Sequence, residues 1–489
     1  MGIEKLDPIL KYIPSIKKPQ NPLSFREKLR NTAIVLVAYF LLFSIPAFGV
    51  NIVSPNEPLL QLVNIIFAAR IGTLVTVGIG PIVLASIFLQ LLSGSGFINM
   101  NLDDPEEKGR FQGFQKFLAM IIAVVEGFIF VGSGYVQALS KSLIPVVAIQ
   151  LALGAILVIY LDETMVKYGI TSGINLFIAS GVAYAIVAGT INVLFVEAEQ
   201  AISAGGAAAI ANAILAFGPL FFTILIMVIS AYIYDIKVEL PLVFSQLRGI
   251  GGRLPIPLLY VSVLPVILAT SLELSFTVWF RFLANVGGSF ANLARFFAYY
   301  QPIATVTGAT TLNLAGGIIY LISPSFPLPY STAFQGIGGY PAYFHYLATQ
   351  TSTLFLPWGG KVFVPEWLHF IIYAAFLVIL CVIFGKFWIE MTGQSPSNVA
   401  AQLQEIGWQI PGFRRDPRIV ENILNRYVPT ITVLGSIIVG LLAALATLTG
   451  AVGTGMGVLL TVGIMYMVYQ QLQQENAIQG MPMLEKLLS

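Results

Sequence analysis

Residues that could perform covalent chemistry are scarce in this chain and lie far apart along it. Ser133 stands between Gly132 and Gly134, as in some serine nucleophile motifs, and the chemistry would be acyl transfer. That reaction needs a base beside the hydroxyl. The two histidines, His345 and His369, fall in segments unrelated to this serine. Because small residues at this spacing in apolar helices are usually packing surfaces, the pattern argues against an enzyme.

The sequence also lacks the residues that usually bind metal ions or nucleotides. A site built from cysteine and histidine needs about four ligands, whereas the chain has 1 cysteine, Cys381, and 2 histidines. The Gly-x-x-x-x-Gly-Lys-Ser/Thr loop of nucleotide-binding proteins does not occur in the sequence. We therefore expect no cofactor and a function other than catalysis.

The composition indicates a protein that lies mostly in a membrane. Of the 489 residues, 57% are hydrophobic and 10% are charged, against about 25% charged in soluble domains. The mean hydropathy is +0.85. The net charge of +2 is too small to indicate a nucleic-acid partner. The expected fold class is an all-α polytopic membrane protein.

Apolar runs divide the chain into ten candidate transmembrane spans, which would form two pseudo-symmetric inverted halves of five. Residues 56–70 are apolar but too short, at about 1.5 Å per residue, to cross about 30 Å of hydrocarbon. They predict a re-entrant half-helix. Ser24 and Glu27 have the spacing of a capping box at the start of the first helix. The ten spans are 32–50, 72–93, 116–139, 143–161, 170–195, 207–234, 257–280, 366–390, 429–450 and 453–469.

Loop charges predict how the chain is oriented. Twenty of the 25 lysines and arginines fall on the side that holds both termini, which places both termini in the cytoplasm by the positive-inside rule. The turn at 196–206, between the two halves, is the candidate hinge. The expected units are a cytoplasmic segment 1–31, an N-terminal half 32–200, a C-terminal half 201–474 and a cytoplasmic tail 475–489. The long connections are cytoplasmic loops at 235–256 and 391–428 and an outer region at 281–364.

The stretch Ile71–Gln90 has the features of a pore wall. Several glycines and Pro81 interrupt an otherwise apolar sequence. Broken backbone at membrane depth is tolerated only where protein or a water-filled cavity covers it. Ile79 and Val83 lie one helical turn apart and would share one face. We interpret this stretch as one wall of a pore.

Five blocks of the sequence resemble, in order and in spacing, the archaeal form of the SecY family of protein-conducting channels. They are RIGTLVTVGIGPIVLASIFLQLLSGSG, YGITSGINLFIASG, YVSVLPVILA, PGFRRDPR and GTGMGVLLTVGI, and together they cover almost the whole chain. The resemblance implies two five-helix halves around an hourglass pore, a plug helix, and a lateral gate that opens to the lipid bilayer. The partners it implies are a SecE-type (gamma) subunit, a small beta-type subunit, the translating ribosome, and signal sequences with their nascent chains.

The resemblance also assigns residues to the pore and to its plug. Aliphatic side chains suit a polypeptide channel, because they bind no passing side chain strongly and dewet when the pore is empty. From spacing alone, ordinary helix packing for the ring and a flat interfacial helix for the plug both stay open. The implied pore ring is Ile79, Val83, Ile174, Ile178, Ile267 and Leu460, and the implied plug contains Glu57, Leu60, Leu62, Ile65, Ile66 and Ala69.

The lateral gate is expected where the second and third spans meet the seventh and eighth. Glu126 stands alone among apolar residues of the third span, which is costly unless it faces protein or water. Glu126 and Ser275 match two positions of the polar cluster that the family has at its gate, whereas Leu84 stands where a threonine is expected. Glu273, two residues before Ser275 and on another helix face, could serve as a polar partner instead or lie near the outer membrane interface, and we favour the interface.

Arginines in the two cytoplasmic loops have two interpretations. Composition alone favours ordinary positive-inside charges, whereas the resemblance implies ribosome contacts, in which guanidinium groups bind RNA phosphates. Outer residues 325–363 resemble an insertion relative to the family pattern, for which the sequence suggests only a cap over the exit funnel. The arginines concerned are Arg248, Arg253, Arg414 and Arg415.

A secondary transporter is the strongest alternative function. Ten spans, an inverted repeat and broken helices fit that class as well. Transporters gather ionisable groups near the membrane midplane to hold solute and coupling ion. The broken segments of this chain carry isoleucine, valine and glycine instead. We therefore expect a passive polypeptide channel that is driven by a partner.

Overall fold

Helices dominate the structure, and each of the ten predicted spans contains one. Within the described part of the chain, eight helices are long and apolar enough to cross a membrane. The first predicted span holds a helix with a charged first turn, and the second holds a shorter apolar helix. The computed structural model describes residues 13–21, 23–51, 58–94, 105–197, 217–244, 251–304, 310–324, 339–355, 360–405, 408–409 and 417–479.

The helices of the first part of the chain cover the first five predicted spans. A 3-10 turn at Lys141–Leu143 precedes the fifth helix, and a π turn at Val193–Glu197 follows the sixth. Residues 198–216, which include most of the candidate hinge, lie outside the described residues. The helices are α1 Phe25–Ser44, α2 Pro58–Ile66, α3 Gly80–Gly94, α4 Pro105–Gly132, α5 Ile144–Tyr168 and α6 Gly173–Asn192.

The second part of the chain adds five long helices and several short ones outside the predicted spans. The long helices occupy the sixth to tenth predicted spans. The helices are α7 Gly218–Asp235, α8 Leu264–Val286, α9 Gly288–Phe297, α10 Ile318–Ile322, α11 Gly339–Thr349, α12 Glu366–Met391, α13 Pro396–Glu405, α14 Pro417–Leu448 and α15 Gly455–Gln479.

The described part of the chain also holds nine short strands, most of them outside the predicted spans. One strand, Gln137–Ala138, falls within the span predicted at 116–139, because the helix there ends at Gly132. All the pairings are antiparallel, and they form one three-stranded sheet and three two-stranded sheets. The strands are β1 Val50–Asn51, β2 Gln137–Ala138, β3 Lys237–Phe244, β4 Gly251–Pro257, β5 Tyr299–Ala304, β6 Thr310–Gly316, β7 Thr351–Phe355, β8 Lys361–Pro365 and β9 Trp408–Gln409.

The predicted capping box at the start of α1 is confirmed. The Glu27 amide donates to Ser24 Oγ over 3.4 Å, and the Ser24 amide donates to Glu27 Oε2 over 2.9 Å. These two bonds satisfy backbone donors that have no partner within the helix. Helix α1 therefore begins at Phe25, before the apolar run that predicted the span.

The segment 71–79 is broken backbone covered by protein, as predicted. The Leu74 amide donates to Ile45 O over 3.1 Å, and the Ala47 amide donates to Gly72 O over 2.9 Å. Helix α5 covers the segment so closely that a Cβ atom on Gly154 would lie 1.8 Å from Leu74 O. One part of the interpretation was wrong, because Pro81 breaks no helix. It is the second residue of α3, where the missing amide costs nothing.

The two predicted cytoplasmic loops, 235–256 and 391–428, are joined by a sheet that the sequence did not reveal. Strand β3 pairs with β4, from Lys237 opposite Pro257 to Val243 opposite Gly251. The end of β3 also pairs with β9, which places Phe244 opposite Trp408. The two loops are therefore one structural unit.

The N-terminal segment lies along the ends of α4 and α5. Lys116 of α4 and Lys167 of α5 both form ion pairs with Glu163, over 2.6 and 2.7 Å. The Ile16 amide donates to Glu163 Oε1 over 3.1 Å, and the Tyr168 hydroxyl donates to Lys17 O over 2.8 Å. Charged residues of two helices thus hold this segment in place.

A buried polar cluster attaches the outer region to the start of α12. His369 Nδ1 lies 3.3 Å from Glu366 Oε2, and His369 Nε2 lies 2.8 Å from Tyr320 O and 3.2 Å from Ser323 O. The Ser352 hydroxyl donates to Glu366 Oε1. Because His369 Nε2 faces two carbonyl acceptors, this ring nitrogen serves as the donor.

Replacing His369 with leucine is expected to destabilise the protein by about 2 kcal/mol or more, because the buried carbonyl groups of Tyr320 and Ser323 lose their donor. The midpoint of thermal unfolding of the purified protein measures this loss. The matched control is His345→Leu, because His345 is exposed. Equal midpoints for the two variants would contradict the prediction.

Candidate functional site

Two cavities lie at opposite ends of the helix bundle. The cavity on the side of the three-stranded sheet has a volume of about 560 Å³, and we call it the amide cavity. The other has a volume of about 420 Å³, and we call it the Arg70 cavity after its charged residue. The polar side chains that line the amide cavity include Ser86, Gln90, Gln112, Gln115, Asn175 and Gln471.

Half of the expected pore ring forms the apolar end of the amide cavity. Val83 of α3, Ile174 of α6 and Ile267 of α8 all line this cavity. Val83 and Ile267 are buried, and Ile174 is partly exposed to the cavity. Three helices that are distant in sequence thus bring aliphatic side chains to one place.

The other half of the expected ring lies between the two cavities. In α6, Ile178 lies between Asn175, which lines the amide cavity, and Gly181, which lines the Arg70 cavity. Leu460 in α15 and Ile79, just before α3, likewise lie between a residue that lines the Arg70 cavity and one that lines the amide cavity. All three side chains are fully buried in one apolar cluster. Buried aliphatic side chains therefore separate the two cavities.

Helix α2 fills the centre of the bundle. It contacts α6 on one side and α8 on the other. Leu62, Ile65 and Ile66 are buried within the same cluster as the ring residues. Ile65 also packs so closely on α15 that a Cβ atom on Gly457 would lie 2.8 Å from its Cγ2. The burial of these side chains argues against a flat interfacial helix, which would expose one face, and the plug assignment stays a prediction.

The remaining expected plug residues fall in three places. Ala69 is buried and lines the Arg70 cavity. Leu60 belongs to α2, but its side chain lies outside the described residues, and Glu57 lies wholly outside them. The plug segment thus contributes both to the centre of the bundle and to the wall of the Arg70 cavity.

A short connection joins the end of α2 to the start of the pore wall. The Ile79 amide donates to Phe67 O over 2.8 Å. The buried Tyr39 of α1 donates its hydroxyl to Ala68 O, and its ring stacks on Phe177 with centroids 4.4 Å apart. Gly78 has φ +58, which favours glycine. Sequence reasoning missed Tyr39, whose role depends on a partner distant in sequence.

The helices expected at the lateral gate are in contact. Helix α8 packs against both α3 and α4, and α12 packs against α3. Leu84, Glu126 and Ser275 are all buried at these helices. Glu126 packs against Gly80, where a Cβ atom would lie 3.1 Å from Oε2. Within the described residues Ser275 Oγ has no hydrogen-bond partner, so no hydrogen bond joins it to Glu126.

The position expected for Glu273, near the outer membrane interface, stays a prediction. Its side chain is 2% exposed, and it lies near the middle of α8. Helix α8 is enclosed by other helices along most of its length, which accounts for this burial. Neither Glu273 nor Glu126 lines either of the two cavities described above.

The four arginines expected to contact a ribosome are only partly within the described structure. Arg253 belongs to β4, but its side chain lies outside the described residues. Arg248, Arg414 and Arg415 lie wholly outside them. The strands that lead to these residues are β3, β4 and β9, which belong to one sheet.

Comparison with known families agrees with this geometry. The sequence model of the SecY family matches residues 73–469. The chain belongs to the SecY family. The resemblance noted in the sequence is therefore confirmed, and so is the expected fold class of ten transmembrane helices in two inverted halves of five, since solved SecY and Sec61 channels share this architecture.

Individual SecY relatives cover nearly the whole chain. The protein translocase subunit SecY of Methanocaldococcus jannaschii is 37% identical over 490 residues, which is 100% of both chains. A solved protein-conducting channel has a TM-score of 0.76 and 36% identity, and the match covers 97% of this chain and 98% of that one. Sec61 in the canine ribosome–channel complex from the endoplasmic reticulum has a TM-score of 0.73 and 35% identity, covering 97% of each chain.

Proposed function

We propose that this chain is the channel-forming subunit of a Sec translocon and not an enzyme. It passes secretory polypeptides across the membrane and releases membrane segments sideways into lipid. The observation that carries the proposal is the aliphatic closure between two cavities, with a short helix seated against it. An aliphatic passage discriminates by its aperture, because it has no charge or hydrogen bond with which to hold a passing chain.

Crosslinking to a stalled secretory chain tests this function. Cys381 is the chain's single cysteine, so a Cys381→Ser background gives a clean starting point. We expect a cysteine at Ile178 to crosslink to the stalled chain. A cysteine at Ile149 is the matched control, because Ile149 is exposed on the outside of α5. A transporter would give no crosslink at either position.

The ring and the plug act together in the resting channel. We assign the ring to Ile79, Val83, Ile174, Ile178, Ile267 and Leu460, and the plug to residues 57–69. The burial of the plug residues Leu62, Ile65 and Ile66 among ring residues supports this assignment. Polar chain passes through the ring once the plug moves away.

The lateral gate lies between α3 and α4 on one side and α8 and α12 on the other. A hydrophobic signal segment enters between these helices and partitions into lipid, gaining a few tenths of a kcal/mol per leucine or isoleucine. Apolar Leu84 and the absence of a bond between Glu126 and Ser275 support a gate held by packing more than by a polar cluster.

The two halves, 32–200 and 201–474, move apart about the turn at 196–206. We place both termini, and therefore the amide cavity, on the cytoplasmic side, following the distribution of lysine and arginine. The chain thus enters through the amide cavity and leaves through the Arg70 cavity. A SecE-type subunit and a beta-type subunit complete the complex.

A translating ribosome supplies the energy, because the sequence holds no nucleotide-binding loop. The similar Sec61 structure is a ribosome–channel complex. In this chain the two cytoplasmic loops share the sheet of β3, β4 and β9, so both can present arginines to one partner surface. Outer residues 325–363 are proposed to cap the exit side.

Reversing the charge of Arg248 or Arg414 to glutamate is expected to weaken ribosome binding about tenfold, because a charged hydrogen bond to phosphate is lost. The affinity of the purified channel for ribosomes at fixed salt measures the effect. Lys141→Glu is the matched control, since Lys141 is exposed at the opposite end of the bundle. Unchanged affinity for both arginine variants would remove the assignment.

A further inference from the structure

We propose that side chains at the far end of α8 and at the end of α4 form an outer latch that holds the lateral gate closed. The outer latch consists of Arg281, Phe282 and Asn285 of α8 with Gly132 and Tyr135. It rests on the lateral gate proposed above and adds a set of contacts at the end of the gate opposite the three-stranded sheet. Opening the gate requires all of them to separate.

The first contact of the outer latch is between a cation and an aromatic ring. The Arg281 guanidinium carbon lies 4.0 Å from the centre of the Tyr135 ring. Both side chains are buried, at 4% and 8% exposed. A cation over an aromatic face is attracted more strongly when water is excluded. The pair therefore favours contact between the residues after α4 and the body of α8.

The second contact satisfies the end of a helix. Gly132 is the last residue of α4, and the last carbonyl groups of a helix have no partner within it. Asn285 Nδ2 donates to Gly132 O over 3.2 Å. The carbonyl thus receives its donor from across the gate, and separating α8 from α4 leaves it without that bond.

The third contact depends on the absence of a side chain. A Cβ atom on Gly132 would lie 2.4 Å from the ring of Phe282. This is too close for any real Cβ atom, so Gly132 is what allows Phe282 to pack on the helix end. Any larger residue would force the Phe282 ring off the helix end and so remove this contact of the outer latch.

The α4 side of the outer latch is fixed to its own half of the protein. Strand β2, which follows Tyr135, pairs with β1 so that Gln137 lies opposite Asn51. The Leu139 amide also donates to Gly49 O over 2.9 Å. Because these bonds hold Tyr135 to the residues after α1, a rigid separation of the halves must pull Tyr135 away from Arg281.

Distances between spin labels across the gate test the outer latch. Cysteines replace Phe128 of α4 and Ile371 of α12, which are both exposed, in the Cys381→Ser background. We expect Arg281→Gln, Tyr135→Leu and Asn285→Ala each to raise the population with the longer distance about tenfold. The Arg281→Gln and Tyr135→Leu changes together should add little to either alone, because each removes the same cation–ring contact.

Matched variants distinguish an effect on gate opening from a general loss of stability. Arg295→Gln removes the same charge from an exposed position of α9 and should leave the distances unchanged. Arg281→Lys should restore much of the closed population, because it keeps the cation. Variants that lose thermal stability with unchanged distances, or an Arg281–Tyr135 double variant whose effect equals the sum of the two, would overturn the outer latch.

The same labels distinguish failure of the outer latch from failure of the gate. The parent protein with a stalled signal-sequence chain should show the longer distance. If it does so while the latch variants match the parent at rest, the gate stands and the outer latch is wrong. If the stalled chain never produces the longer distance, the proposed lateral gate fails, and the outer latch fails with it.

Discussion

Replacing Gly78 with alanine is expected to make the resting channel leak ions at least tenfold faster. Gly78 has φ +58, and its Cβ atom would lie 2.0 Å from Phe67 O. That oxygen accepts the hydrogen bond from the Ile79 amide, which joins the plug segment to the pore wall. Relieving the clash separates Phe67 O from residue 78 and breaks this connection, which we expect to unseat the plug.

Ion flux through the purified complex in liposomes measures this leak. Gly109→Ala is the matched control, because a Cβ atom at Gly109 of α4 would meet nothing within 4 Å. The control should leave ion flux and protein yield unchanged. A folded Gly78→Ala channel that stays as tight as the parent would show that the connection between α2 and α3 plays no part in the seal.

Placing an aspartate at Ile267 is expected to slow the passage of lysine-rich segments about tenfold. Ile267 is 2% exposed and lies at the apolar end of the amide cavity. A carboxylate there would attract a passing ammonium group, by at most about 4 kcal/mol at close range in a partly screened site. Aliphatic residues avoid this trap, which is why the ring suits a channel that accepts any sequence.

Translocation half-times of matched substrates check this prediction. One substrate carries a lysine-rich segment and the other a glutamate-rich segment of equal length. Ile267→Asn is the control for polarity without charge. It makes the ring polar but should slow neither substrate more than the other. Ile267→Val should behave as the parent does. If the two substrates have equal half-times in the aspartate variant, the aliphatic nature of the ring is not what lets charged segments pass without being held.

The transmembrane architecture was predictable because long apolar runs leave few alternatives. All ten predicted spans contain helices, and the Ser24–Glu27 capping box forms as the spacing indicated. The short helix α2 followed from length alone, since residues 56–70 cannot cross a bilayer. These features depend on local sequence, where periodicity, capping and length are informative.

The ring residues came from resemblance and could not have come from spacing. Aliphatic residues such as Ile178 and Leu460 recur throughout an apolar helix, and only the folded bundle shows which of them lie between the two cavities. Glu273 illustrates the same limit. Its burial near the middle of α8 could not be read from the sequence, because the neighbouring helices that bury it come from other parts of the chain.

The sheet of β3, β4 and β9 was hidden for a different reason. Pro241 and Pro255 interrupt two of its strands, and proline normally argues against a strand. The third strand, at Trp408–Gln409, has only two residues and pairs with a partner far away in sequence. Neither local propensity nor periodicity reports such a pairing.

The plug and the pore wall belong to one chain, so closing the pore is an intramolecular step. Only the residues from Phe67 to Ile79 separate the end of α2 from α3 in the pore wall, so a displaced plug stays attached by a short segment of chain. Its effective concentration at its seat is then about millimolar whatever the number of channels in the membrane. Resealing after a polypeptide has left should follow first-order kinetics and need no other protein, which limits how many ions escape at each export event.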